Sequence, residues 1–190
     1  MSAKGAVETI EPTAAQRTAA RRVAEAKATI PDFQASIFYD NAPPLGAAIV
    51  AAGRALKAVA AVNGAYVDAK FQHYEAANVG VVLAGATPVV LDADGKTAEA
   101  ADAEIAAARA ALEAGTLTAA ASANATFTLS HLAADGIDTY TSIIVPGHAA
   151  SLAIGARAAT LSADARIVTP QDAAAFLKAL VAALDGATAV

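Results

Sequence analysis

The side chains of this chain that can exchange a proton near neutral pH are three histidines, His73, His131 and His148. His131 directly follows Ser130 in the run 126–132, TFTLSHL, and both residue types are suited to acid–base work on a substrate. In a strand, however, adjacent side chains point to opposite faces. His148 lies in the turn PGH and reads as a surface or interface imidazole, and His73, in a short hairpin, reads as exposed. No two histidines have the spacing of metal ligands, so no metal is expected. The chain has no cysteine, which removes thiol catalysis, thiolate metal sites and disulfides together. Tyr39, Tyr74 and Tyr140 are further candidate acids, although aromatic packing is the usual role of such rings. The segment DADGK, 92–96, has the opening of a calcium loop but lacks its later ligands, and reads as a turn.

The stretch around which these residues are organised is 161–177, LSADARIVTPQDAAAFL. It reads as a short apolar strand, a loop carrying Asp164 and Arg166, and a last helix opened by Pro170, whose missing N–H is unpaired in a first turn anyway. Asp164 and Arg166 are expected to pair within this loop or across a subunit boundary. Upstream, the pattern predicts a helix over 12–27 with Pro12 or Thr13 near its start, and a strand over 33–39. Leu45, Ile49, Val50, Leu56 and Val59 keep one apolar face of a helix over 43–61, which is therefore expected to be buried. Strands over 78–84 and 88–91 are joined around Gly85, and a helix over 97–114 is capped by Thr97 and ended by Gly115.

With 190 residues, 56% of them hydrophobic, the chain can build a single core over 12–190, preceded by a poorly ordered arm over 1–11. A net charge of -5, with no basic run longer than Arg21-Arg22, argues against nucleic acid. No run approaches the ~20 apolar residues of a membrane span, and the first residues lack the order of a signal peptide. A soluble, cytoplasmic protein is expected, in keeping with the absence of cysteine. Much of the apolar content is alanine, and burial is worth roughly 25 cal/mol per Å². Neighbouring subunits are therefore expected to supply part of the buried surface.

Three segments carry a resemblance. RRVAEAKATIPDF, 21–33, resembles RRMVESKxTIPHF; TFTLSHL resembles TFTISNLG; and 161–177 resembles LSxDHRVIDGADAARFL. All three belong to the catalytic core domain of the dihydrolipoamide acyltransferases of 2-oxo acid dehydrogenase complexes, which share a fold with chloramphenicol acetyltransferase. The likeness covers roughly residues 12–185. It implies an α/β (α+β two-layer) fold, a mixed sheet backed by helices, assembled as a homotrimer with channels between subunits. In the family's reaction a His takes the proton of a thiol that attacks an acyl thioester, and a Ser of the facing subunit donates to the oxyanion. The Ser position is Ser130. The His position is Ala165, the supporting Asp is Thr169 and the Gly after it is Pro170, while Asp164 and Arg166 match.

Two functions follow from different classes. One is a structural or accessory subunit without normal acyl transfer, forming trimers alone or beside an active acyltransferase or other 2-oxo acid dehydrogenase subunit whose His completes a site with Ser130. The other is a repurposed enzyme of a specialised pathway that uses the channel for another substrate, with Ser130, His131 or a tyrosine doing new acid–base work. No covalently bound cofactor is expected. The resemblance implies coenzyme A or a lipoyl thioester as ligand, with Leu91 standing where the family has an Arg near the coenzyme A route. No lipoyl or peripheral-subunit-binding domain is expected.

Overall fold

The computed structural model describes residues 5–187. The first four residues of the arm expected over 1–11, and residues 188–190 of the core, lie outside the described range. Helix α1, Ala14–Thr29, opens on a capping box in which the Gln16 N–H donates to Thr13 Oγ1 (3.2 Å) and the Thr13 N–H to Gln16 Oε1 (2.8 Å). Strand β1, Asp32–Phe38, leads through a short loop to α2, Leu45–Ala58, which starts behind Pro44. A hairpin of β2, Gly64–Val67, and β3, Lys70–His73, precedes β4, Val79–Val81, and β5, Val89–Val90. The expected strand 78–84 is shorter because the chain leaves the ladder after β4 and turns back at Gly85, whose φ of 99° suits glycine. Helix α3, Ala98–Glu113, is capped by Thr97 as expected. Strands β6, Phe127–His131, β7, Ala150–Ile154, and β8, Ala158–Asp164, then lead into α4, Pro170–Ala187.

Six strands form one mixed sheet in the order β1-β8-β7-β6-β4-β5. β4, β6 and β7 are parallel neighbours, and the other pairs are antiparallel. Register gives the sheet two unlike faces, because opposed residues share a face. Ala35, Leu161, Leu152, Leu129 and Val81 form one row that joins the main core with α2 and α4. Phe127 and Phe176 meet there with ring centroids 5.7 Å apart. The next row, on the opposite face, is Ser36, Thr160, Ala153 and Ser130, flanked by Gln34, Ser162, Ser151 and Thr128. That face carries no helix of the α2–α4 layer. The segment 137–148 crosses it instead, tied by a 2.6 Å hydrogen bond between the Ser142 and Ser151 hydroxyls and by the Arg157 N–H donating to Asp138 O (3.1 Å).

Helix α2 is buried along nearly its whole length and packs against both α3 and α4. Such close packing explains a glycine inside it. A Cβ on Gly53 would lie 2.5 Å from the backbone nitrogen of Asp94. Gly53→Ala is therefore expected to destabilise the fold by about 1–3 kcal/mol, although alanine is the better helix former. Denaturant unfolding measures this, and a gain in stability would show that the two backbones are free to separate.

Candidate active site

Ser130 is the penultimate residue of β6 and sits on the helix-free face, 9% exposed. Its hydroxyl makes no hydrogen bond among the described residues, so it is not spent on the backbone of its own chain. His131, one residue on, belongs to the other face, in the row of Ile154, Ala159 and Ile37. Its Nε2 lies 2.9 Å from Pro43 O, just before α2. The alternation of the strand thus separates the two side chains, and the structure does not bring them together.

The segment that follows β8 is a small rigid frame. Asp164, 1% exposed, accepts from the Arg166 backbone N–H (3.0 Å), from Nε (2.9 Å) and from Nη2 (2.7 Å). Of the two pairings expected for these residues, the one within the loop is formed. Hydrogen bonding to Asp164 pushes the Arg166 guanidinium above its already high range. The same guanidinium lies 4.7 Å over the Tyr66 ring, a cation–π contact that ties the loop to β2. Ala165 stands exposed between the paired residues, and its N–H donates to Pro31 O (2.9 Å). Thr169 caps α4: it accepts from the Asp172 N–H (3.1 Å), while its own N–H (2.9 Å) and hydroxyl (2.6 Å) donate to Asp172 Oδ2. These bonds hold the Asp172 carboxyl below its usual range. Pro170 occupies the first helical position, as expected.

Ser130 and Ala165 lie at opposite ends of the sheet. Ser130 opposes Ala153, and Ala153 opposes Thr160. Ala165 is five residues beyond Thr160, about 16 Å along the strand at ~3.3 Å per residue. One chain cannot place both against the same substrate atom.

The family profile described as 2-oxoacid dehydrogenases acyltransferase (catalytic domain) matches residues 44–190. This chain belongs to that family. The acyltransferase fold is shared over nearly the whole molecule. A probable dihydrolipoamide acetyltransferase from Listeria monocytogenes superposes with a TM-score of 0.88 at 22% identity, covering 97% of each chain. The dihydrolipoamide acetyltransferase of Azotobacter vinelandii gives 0.88 at 19% identity, over 96% of this chain and 93% of its own. Chloramphenicol acetyltransferase gives 0.50 at 11% identity, over 94% and 99%. No curated protein sequence gives a significant match.

Apart from Tyr140, the remaining candidates of this acyltransferase-family chain fall outside the Ser130 face or are already engaged. His73 is exposed, as expected, with Nδ1 2.9 Å from Ala60 O. The Tyr39 hydroxyl donates to Gly155 O (2.7 Å), and burial pushes its pKa up to about 12. Tyr74 donates to Gly147 O (3.0 Å). Tyr140 is 42% exposed and borders a groove of about 500 Å³ with Gln34, Ser36, Phe38, Thr139 and Thr160. Sequence reasoning missed this groove and also Tyr66, since neither has a local motif. The described residues hold no cluster of three or more metal-binding side chains, and none of their helices is long and apolar enough to cross a membrane.

His148 corrects an expectation. It is buried within its own chain, with Nε2 3.0 Å from Ala125 O and Nδ1 without a partner. Gly147, at φ 93°, turns the chain so that the ring enters the interior beside residue 125. Burial lowers the His148 pKa from 6.5. The unfolded chain then binds the proton first, so stability that is intact above 6.5 is lost as the pH falls through the folded value. Between about pH 7 and 5 the melting temperature of the wild type is expected to fall more steeply than that of His148→Gln. Parallel curves would remove His148 as the cause.

Proposed function

We propose that this chain is a trimer-forming member of the acyltransferase family that does not by itself transfer acyl groups to or from coenzyme A. It acts as a structural or accessory subunit of a 2-oxo acid dehydrogenase type assembly, alone or beside an active acyltransferase. The observation that carries this reading is Ala165 at the position where the resemblance puts the general base, in a loop whose Asp164–Arg166 frame is intact. No other imidazole offers itself to Ser130: His131 lies on the opposite face against Pro43 O, and His148 is buried against Ala125 O. Loss of a general base costs on the order of 10² to 10⁴ in rate.

What remains supports half of a site. In the family chemistry a thiol loses its proton to the base, its sulfur attacks the thioester carbonyl, and the oxyanion is met by a hydroxyl. Ser130 keeps a hydroxyl with no hydrogen-bond partner among the described residues, suited to that last role. The distance from Ser130 to Ala165 supports a reading in which the base position facing Ser130 belongs to a second subunit. A mixed trimer with an active acyltransferase then pairs Ser130 with an intact His. The second reading, a repurposed enzyme, is favoured by one observation, the open groove of about 500 Å³ on the face that carries Ser130.

Acetyl transfer from acetyl-coenzyme A to dihydrolipoamide separates these readings. The wild type is expected to show no rate above the uncatalysed one. Ala165→His with Thr169→Asp is expected to gain about 10²-fold or more, and adding Ser130→Ala to remove about 10²–10³-fold of that gain. Acetyl transfer by the wild type would sink the accessory-subunit reading. A folded, oligomeric Ala165→His/Thr169→Asp variant without activity would show that the channel no longer accepts these thioesters and favour the repurposed enzyme.

A further inference from the structure

The segment 137–148, which crosses the helix-free face of the sheet, is fastened at three places. At its start the N–H groups of Ala156 and Arg157 donate to Ile137 O (2.7 Å) and Asp138 O (3.1 Å). In its middle the Ser142 and Ser151 hydroxyls share a 2.6 Å bond, and Ile144, 3% exposed, packs with Ala26 and Ile30 at the end of α1. At its end the Tyr74 hydroxyl donates to Gly147 O (3.0 Å), the His148 N–H donates to Val145 O (2.9 Å), and His148 Nε2 lies 3.0 Å from Ala125 O. The first two fastenings contain no group that titrates near neutral pH. The third is built on a histidine.

A carbonyl oxygen can only accept, so Nε2 of His148 carries the proton and the neutral ring has its lone pair at Nδ1. Nδ1 is buried and has no partner among the described residues. The site therefore suits one N–H and no more. A second proton would place a donor without an acceptor, and a positive charge, where water is excluded. Burial accordingly lowers the pKa of His148, and the Ala125 carbonyl, which raises it, has the smaller effect. No charged side chain acts on the ring to offset this. Of the ionisable groups on the elements around it, Tyr74 is spent on Gly147 O, Glu75 and Asp92 are exposed, and Asp164, whose N–H donates to Ala149 O, has its carboxylate on Arg166. Gly147 supplies a way out. It is exposed, its φ is 93°, and a Cβ there would meet nothing within 4 Å.

We propose that His148 is a proton-operated latch on this strap: neutral, it holds residues 143–148 against residue 125; protonated, it swings out about Gly147 and frees them while the sheet stays folded. Its departure breaks the bond to Ala125 O and removes the support of the Tyr74–Gly147 bond beside it. Ile144 then loses its place on Ala26 and Ile30, and the end of α1 loses its apolar cover. The release is local, because the fastenings at 137–138 and at Ser142 do not respond to pH in this range. The hold is complete above 6.5 and is lost as the pH falls through the lower folded value.

The absence of cysteine allows a single thiol to report on each place. Ile144→Cys reads the strap, Val81→Cys the main core, and Val7→Cys, 75% exposed, corrects for the pH dependence of the thiol reaction itself. Maleimide labelling rates are measured from pH 7.5 to 5. Relative to Val7→Cys, the rate at Ile144→Cys is expected to rise about tenfold or more as the pH falls, with Val81→Cys still protected. In the His148→Gln background, where the amide N–H can still donate to Ala125 O and does not titrate, the rise is expected to vanish. Hydrogen exchange of the unsubstituted chain, corrected for intrinsic rates, is expected to quicken in the peptide 143–149 and not in β6. No rise at Ile144→Cys together with unchanged exchange in 143–149 overturns the latch. So does a rise shared by Val81→Cys, which is global unfolding, and so does a rise that His148→Gln leaves intact.

Discussion

The period-two alternation of the central strands governs where everything else in this molecule sits. β6, β7 and β8 are paired in a register that puts Leu129, Leu152 and Leu161 on one face and Ser130, Ala153 and Thr160 on the other. The apolar row needs the helices α2 and α4 over it, because removing that surface from water is the main favourable term in folding. The hydroxyl row cannot join that core without partners for each oxygen. It is covered instead by an irregular segment with hydroxyls of its own, as in the Ser142–Ser151 bond. A slip of one residue would exchange the two faces. Ser130 presents its hydroxyl away from the helices for this reason, and His131 is directed toward them for the same reason.

At the other end of β8, the loop around position 165 is held as a rigid frame by its own side chains. Asp164 is almost without solvent, and its carboxylate is satisfied by three donors of Arg166 that are fixed by the loop itself. A buried carboxylate is costly unless paired in this way, so these two residues have a structural role that does not depend on a base at 165. Thr169 has a comparable role, since its reciprocal bonds with Asp172 satisfy donors at the start of α4. The loop keeps this geometry while position 165 itself holds a methyl group.

Ser130 and Ala165 are kept apart by the length of β8, and α1 is joined to the Ala165 loop through Pro31. In the proposed assembly the loop of one chain meets Ser130 of the next.

The elements, their order and the family were legible in the sequence, because helix caps such as Thr13 and Thr97, the stripe of α2 and the alternation of β6 are local signals. The Ala165 position between Asp164 and Arg166 was equally legible. The groove, the burial of His148, the cation–π partner Tyr66 and the exposure of α1 were not. Sequence by itself determined the order of most helices and strands and the absence of thiol chemistry, because those properties depend on a residue and its near neighbours. Only the tertiary structure decided which face Ser130 shares, how far it stands from Ala165 and what covers each side chain. Those depend on register and packing between segments remote in the chain, and no local period encodes them.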